Sequence, residues 1–221
     1  MDAVTVIGPD ARSFLQGQIS QDMARVDRDG SAWTWILQPT GKVDALVRVS
    51  RVEADSYRLD VDAGFGDAVL ARLARFKMRT KADLVCVANG GGALPYADDK
   101  ARIEAGWPAH GQELTPETVP NETGLIPLTV SFTKGCYTGQ ELVARIDSRG
   151  NNVPKRLMRL RAEPGQTLTP GAPLVHDAKV VGAVTSAAGD VGLGYVGRSV
   201  EAGATLLAGD TTVVCEPIEH G

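Results

Sequence analysis

The periodicity of the chain changes once, and that change limits the folds open to it. From Lys155 onward the apolar segments are short and β-like: KRLMRLRA, KVVGAVTSA, VGLGYV and TTVVCEPI, separated by turns containing PG, TPGAP and AGD. Runs of this length and spacing predict a small antiparallel barrel. The first 88 residues read differently. Val4–Ile7 is a short strand, and Asp10 is placed to cap a helix whose Phe14, Leu15, Ile19 and Met23 share a face. Ala32–Leu37 and Val43–Val49 flank the turn QPTGK as a hairpin, and YRLDVD alternates as a further strand. Asp67 is placed to cap a second helix with Val69, Leu70, Leu73 and Phe76 at helical spacing, and ADLVCVA closes the segment as a strand. This order predicts a ferredoxin-like split βαββαβ unit with one added strand.

Three segments follow: residues 1–88, a loop-rich middle at 89–154 with NGGGALPYADD and TPETVPNETG, and residues 155–221. The class is α+β. With 43% hydrophobic and 23% charged residues, the 221-residue chain has a globular balance. No apolar run approaches the roughly 20 residues of a membrane span. The N-terminal MDAVTVIGPDA has an acid at position 2 and no basic stretch, so it does not read as a signal peptide. The net charge of −4 argues against a nucleic-acid partner, whose binding domains are more often basic. It leaves room for a local basic pocket that takes a small anion.

Cys86, Cys136 and Cys215 form no CxxC pair, and His110, His176 and His220 show no spacing relation to them. No metal site is expected, because a structural zinc needs four ligands and an iron–sulfur cluster usually takes four thiolates. Scattered thiols in odd number suggest a reducing cytoplasm. Cys86 in LVCVA and Cys215 in TVVCEP read as core residues. Cys136 differs. It stands in KGCYTGQE, between glycines that permit unusual backbone angles. Lys134 is two residues away, and GQELVARI opens a helix just beyond. A nearby cation and a helix start both favour thiolate, so Cys136 is the candidate reactive group.

KGCYTGQE resembles the K-G-C-Y-x-G-Q-E signature of the YgfZ family, folate-binding relatives of the glycine-cleavage T-protein. Lys134, Gly135, Cys136, Tyr137, Gly139, Gln140 and Glu141 match its seven defined positions. GPDARSFLQGQISQD, LQPTGKVDALVRV, LARFKMRTKADL and VTSAAGD resemble other parts of the family, so the likeness runs along nearly the whole chain. It implies a T-protein-like ring of three parts around a central opening for tetrahydrofolate or another reduced folate. It also implies a role in assembly or repair of iron–sulfur proteins that needs the motif cysteine, with assembly proteins or client enzymes as partners.

ARIEAGWPAHGQEL resembles the T-protein form R-x-E-A-G-x-x-x-x-G-x-E, in which the first glutamate reads the pterin. The matching residue is Glu104, whose carboxylate can accept from the pterin 2-amino group and N3–H together. The resemblance places Lys134, Tyr137 and Gln140 in the cofactor site. Arg149 is a candidate for the folate carboxylates, in competition with Arg145 and with the series Arg72, Arg75, Lys77, Arg79 and Lys81. Trp107 is a candidate for stacking on a ring. The first helix, the motif and IEAGWP are expected to line one opening. Aminomethyl transfer is the rival function. The T-protein pattern has a paired-aspartate run in its early hairpin, and this chain offers only Asp44.

Overall fold

The computed structural model describes residues 1–218. His220 lies outside the described residues. The chain forms two compact units. The first comprises residues 1–94, 115–120 and 125–148; the second comprises 95–114, 121–124 and 149–221. The loop-rich residues 89–154 are thus divided between them.

The first unit is built on β1 (Asp2–Ile7), α1 (Ala11–Gln18), α2 (Met23–Asp29), β2 (Ser31–Leu37), β3 (Val43–Glu53), β4 (Ser56–Val61), α3 (Gly66–Arg75) and β5 (Asp83–Val87). The sheet order is β2-β3-β4-β1-β5, with every neighbouring pair antiparallel. Taking β1, β3, β4 and β5 as the four strands of the split βαββαβ motif reproduces its order, and β2 is the added edge strand. Val4, Val6, Ala45, Val47, Val49, Tyr57 and Leu59 join Phe14, Leu15, Met23, Val69 and Leu73 in one core. That is the period-2 pattern of the strands meeting the 3.6 pattern of the helices.

The single first helix expected from the sequence is two helices. Ile19 is extended, with ψ 155°, and bridges Ile36 on β2. Ser20 holds the break: its hydroxyl donates to the Thr129 carbonyl at 2.7 Å and accepts from Trp35 N at 2.9 Å. Asp22 then caps α2 by accepting from Ala24 N at 2.9 Å. The two expected caps also differ. Asp10 stands at the start of α1 but accepts from Lys81 N rather than from the helix. Asp67 lies inside the first turn of α3, behind Phe65 at the cap. The amides at that end, Gly64 N and Gly66 N, donate to Asp2 Oδ2 from β1 at 2.8 and 3.1 Å. The bond from Asn89 N to Asp2 Oδ1, and then that from Gly66 N, pull the Asp2 carboxyl below its usual range.

The second unit carries a closed antiparallel barrel of β6 (Lys155–Ala162), β7 (Pro173–His176), β8 (Lys179–Ala188), β9 (Val191–Gly197), β10 (Thr205–Ala208) and β11 (Thr211–Pro217), in the order β10-β11-β6-β9-β8-β7. β7 pairs with β10 to close it, which leaves no open edge. Leu160, Leu174, Val184, Val196, Val213 and Cys215 fill the interior. Against β8 and β9 packs α4 (Asp99–Glu104). Its Ile103 is buried with Leu157, Val191, Leu193 and Tyr195.

Candidate functional site

Residues 134–141 lie in the first unit, after α5 (Ile126–Thr129), and lead into α6 (Gln140–Asp147), the helix expected after the motif. Each motif residue has a distinct local reason. Gly139 takes φ 82° as the N-cap of α6, and a Cβ there would lie 2.5 Å from the Gln38 carbonyl and 2.7 Å from Leu37 Cβ. The hairpin turn at 38–42 reciprocates, since a Cβ on Gly41 would lie 2.5 Å from Leu142 Cβ. The motif is thereby pressed onto the hairpin with no space for a side chain. Gly139→Ala should cost about 2 kcal/mol or more, as strain in the left-handed region adds to the clash. Gly135, at φ 91° with open space where its Cβ would stand, should cost only about 1–2 kcal/mol for Ala. Urea denaturation of the two variants checks the order, and equal losses would contradict it.

Lys134 does not turn toward the cysteine. Its ammonium donates to the carbonyls of Gln16 and Ile19 at the end of α1, the latter at 2.6 Å, and lies 4.8 Å from the centre of the Tyr137 ring. Carbonyls left unpaired at a helix C-terminus attract a cation, and this one serves them from another part of the chain. Gln16 Nε2 returns a bond to the Lys134 carbonyl at 3.2 Å, and Thr138 N donates to Gly17 O at 3.2 Å. The first helix and the motif therefore meet, as expected. The sequence-based pairing of lysine with thiol is corrected: adjacency in sequence placed them together, and the helix end draws the ammonium away.

Burial pulls the Lys134 ammonium from its ordinary 10.5 down to about 8. The folded value lies below the unfolded one, so the unfolded chain holds more protons between those pH values. Stability should rise from about pH 8 to 10 on this account. Lys134→Met should flatten that part of the slope in denaturation measured against pH. An unchanged slope would contradict it.

Tyr137 is 7% exposed, and its hydroxyl is buried without a hydrogen-bond partner among the described residues. Burial pushes its pKa up to about 12. Cys136, between two anchored neighbours, is exposed. Cys215 is fully buried in the barrel and Cys86 is half-buried against the first core. Burial raises both of those thiols, and Asp67 adds to the rise at Cys86. Gln140, Glu141, Ala144, Arg145 and Ser148 line a shallow depression on the outer face of α6. Among the described residues no His, Cys, Asp and Glu cluster of three or more is arranged to hold a metal.

Glu104 and Arg149 belong to the second unit. Glu104 ends α4 with its side chain 48% exposed and a 4.0 Å contact to Lys100. Arg149 is exposed. The other charged members of the same segment are inward. Arg102 is 4% exposed and donates to Asp99 Oδ1, Trp107 O, Glu113 Oε2, Gln112 Oε1 and Ser186 Oγ. Glu113, fully buried, also accepts from Ala109 N at 3.0 Å and from the Thr185 hydroxyl. Trp107 is buried with Tyr96, ring centroids 6.1 Å apart, so core packing accounts for the ring offered above as a stacking surface.

Arg72 also leaves the list of tail-binding candidates. It is buried, donates to Asp44 Oδ2 at 2.9 Å, Leu37 O at 2.7 Å and Gln18 Oε1 at 3.1 Å, and stacks on Phe76 at 4.0 Å. Arg75, Arg79 and Lys81 stay exposed, and Lys77 approaches Asp83 at 3.7 Å. The Arg72–Asp44 pair was not legible in the sequence. The two residues are 28 positions apart on different elements, and only the packing of α3 against β3 brings them together.

Residues 155–219 match the CAF17 C-terminal beta-barrel domain. The chain is 26% identical over 216 residues to the tRNA-modifying protein YgfZ of Vibrio atlanticus, covering 72% of this chain and 66% of that protein. Over 98% of this chain and 83% of the other, the fold superposes on the glycine cleavage system aminomethyltransferase T of Bartonella henselae, with a TM-score of 0.83 at 18% identity. The chain is similar to YgfZ proteins and shares the fold of an aminomethyltransferase. Among its aminomethyltransferase relatives, the Nostoc protein is 27% identical over 192 residues. Those residues cover 87% of this YgfZ-like chain but 46% of the Nostoc protein, so the chain spans about half the length of that relative.

Proposed function

We propose that the chain binds tetrahydrofolate, or another reduced folate, and supports the assembly or repair of iron–sulfur enzymes in the cytoplasm, with Cys136 as its reactive thiol. The observation that carries this reading is the way the motif is held. Lys134 is bound to a helix end, Tyr137 is buried and Gly139 is pressed on the hairpin, while Cys136 alone of the three cysteines is exposed. A thiol packed for stability would face inward, as Cys215 does.

Each unit, taken by itself, offers groups of the kind a reduced folate takes. A pterin edge offers two N–H donors to one carboxylate, and the half-exposed Glu104 has only a long contact to Lys100. The buried Tyr137 hydroxyl has no hydrogen-bond partner among the described residues and suits a polar group of a ligand. Gln140 supplies an amide at the head of α6, and Arg149 an exposed guanidinium for a carboxylate. A bound folate supplies a carrier of one-carbon units; the chain's own part is to hold it and to present the thiol. Aminomethyl transfer is the weaker reading, because Asp44, the carboxylate it would call on, is held by the buried Arg72.

Anaerobic calorimetry tests the binding half. Glu104→Ala should weaken tetrahydrofolate by about 2 kcal/mol or more, the scale of a lost charge-assisted hydrogen bond. Unchanged affinity in the folded variant would remove Glu104 from the site.

A further inference from the structure

The barrel unit contains a second place suited to a ligand. A cavity of about 150 Å³ opens beside the start of β6, lined by Leu157, Met158, Val196, Val200 and Ile218 on its apolar side and by Asn121, Glu122, Arg156 and Arg198 on its polar side. Aliphatic cavities of that volume take up benzene. Asn121 and Glu122 are buried, and Asn121 Nδ2 donates to Asn151 Oδ1 at 2.9 Å, which fixes the inner wall. The two arginines are exposed at the rim.

Their charge is unusual for this strand. β6 carries four basic residues, and three have carboxylates. Lys155 lies 3.9 Å from Glu122, while Arg159 and Arg161 share Glu216 at 3.6 and 3.3 Å. Arg156 pairs with no carboxylate among the described residues, and Arg198 donates only to the neutral Asn152 Oδ1 at 3.2 Å. Arg156 is opposite Val196 in the β6–β9 register, and Arg198 follows two residues later. Arg198 stands in the turn that leaves β9, so both cations line the rim of one cavity, where like charges repel. An anion between them would turn that repulsion into attraction.

We propose that this cavity binds a small organic monocarboxylate whose apolar body is about the size of a six-membered ring. The carboxylate would accept from Arg156 and Arg198 at the rim, and the body would cover the Leu157, Met158 and Val196 surface. Inorganic phosphate has no apolar part to cover that surface. The site is independent of the folate reading, since none of its lining residues belongs to the motif or to the Glu104 segment.

Titration of the full chain with phenylacetate at low salt, followed by calorimetry or ligand-observed magnetic resonance, tests it. Saturable binding is expected, with phenylacetamide and inorganic phosphate at least tenfold weaker. The Arg156→Ala/Arg198→Ala double variant should also lose at least tenfold, a step equal to about 1.4 kcal/mol. Ala202→Phe, at an exposed position of the lining, should block binding with an unchanged melting temperature. Absence of saturable phenylacetate binding to the unmodified chain, indifference to both variants, or tighter binding of phosphate would each overturn the proposal.

Discussion

Arg102→Ala should destabilise the second unit by about 3–5 kcal/mol, the range for removing one partner of a buried ion pair. Arg102 and Glu113 are both buried, and the guanidinium also serves the Trp107 carbonyl, Gln112 and Ser186. Truncation would take the Arg102 guanidinium from the buried Glu113 carboxylate and remove one donor each from the Trp107 carbonyl, Gln112 and Ser186. Glu104→Ala, two residues along the same helix, should cost no more than about 0.5 kcal/mol, because its contact with Lys100 is exposed and long. Chemical denaturation monitored on the barrel unit separates the two. Similar losses would mean that the R-x-E-A-G segment does not divide into a structural arginine and a surface carboxylate. The contrast also keeps the folate test clean: Glu104 can be removed without unfolding the element that carries it.

Much of the fold was legible. The strands of the first unit and of the barrel showed their period of two, and the turns between them carried glycine and proline at the places where the chain reverses. The division of the first helix was not legible. Phe14, Leu15, Ile19 and Met23 are all buried and fit one continuous face. What breaks the helix is the pairing of Ile19 with Ile36 and the bonds from Ser20 to distant backbone, and neither leaves a mark in local spacing. Burial within the middle residues was not legible for a similar reason. Ile103, Trp107, Leu114, Leu125 and Ile126 are buried, yet they are spread among Gly, Pro and Asn without a period.

The candidate site was legible where a motif fixed it. Gly139 and the exposed thiol follow from KGCYTGQE, and the structure supplies the reason for the glycine in the close approach of the hairpin. Side-chain destinations were not legible. Lys134 is two residues from Cys136 in sequence, yet it is drawn to a helix end more than one hundred residues earlier. The cationic run after α3 likewise contains one buried structural arginine, Arg72, among exposed ones, and composition alone does not distinguish them.

The second large effect concerns Cys136. Its exposed thiol makes little packing, so Cys136→Ser should melt within about 2 °C of the unmodified chain, as surface substitutions usually change stability by no more than about 0.5 kcal/mol. Under native conditions iodoacetamide should modify Cys136 first, because burial both shields Cys86 and Cys215 and raises their pKa values. Loss of function should nonetheless be near complete, since no other exposed cysteine stands near the motif to replace it. The decisive measurement is the activity of iron–sulfur enzymes in a strain lacking its own copy of this protein, supplied with either form at equal abundance. The account predicts that the unmodified chain restores those activities and Cys136→Ser does not. Full restoration by the serine form, or failure of the unmodified chain to restore them, would contradict it.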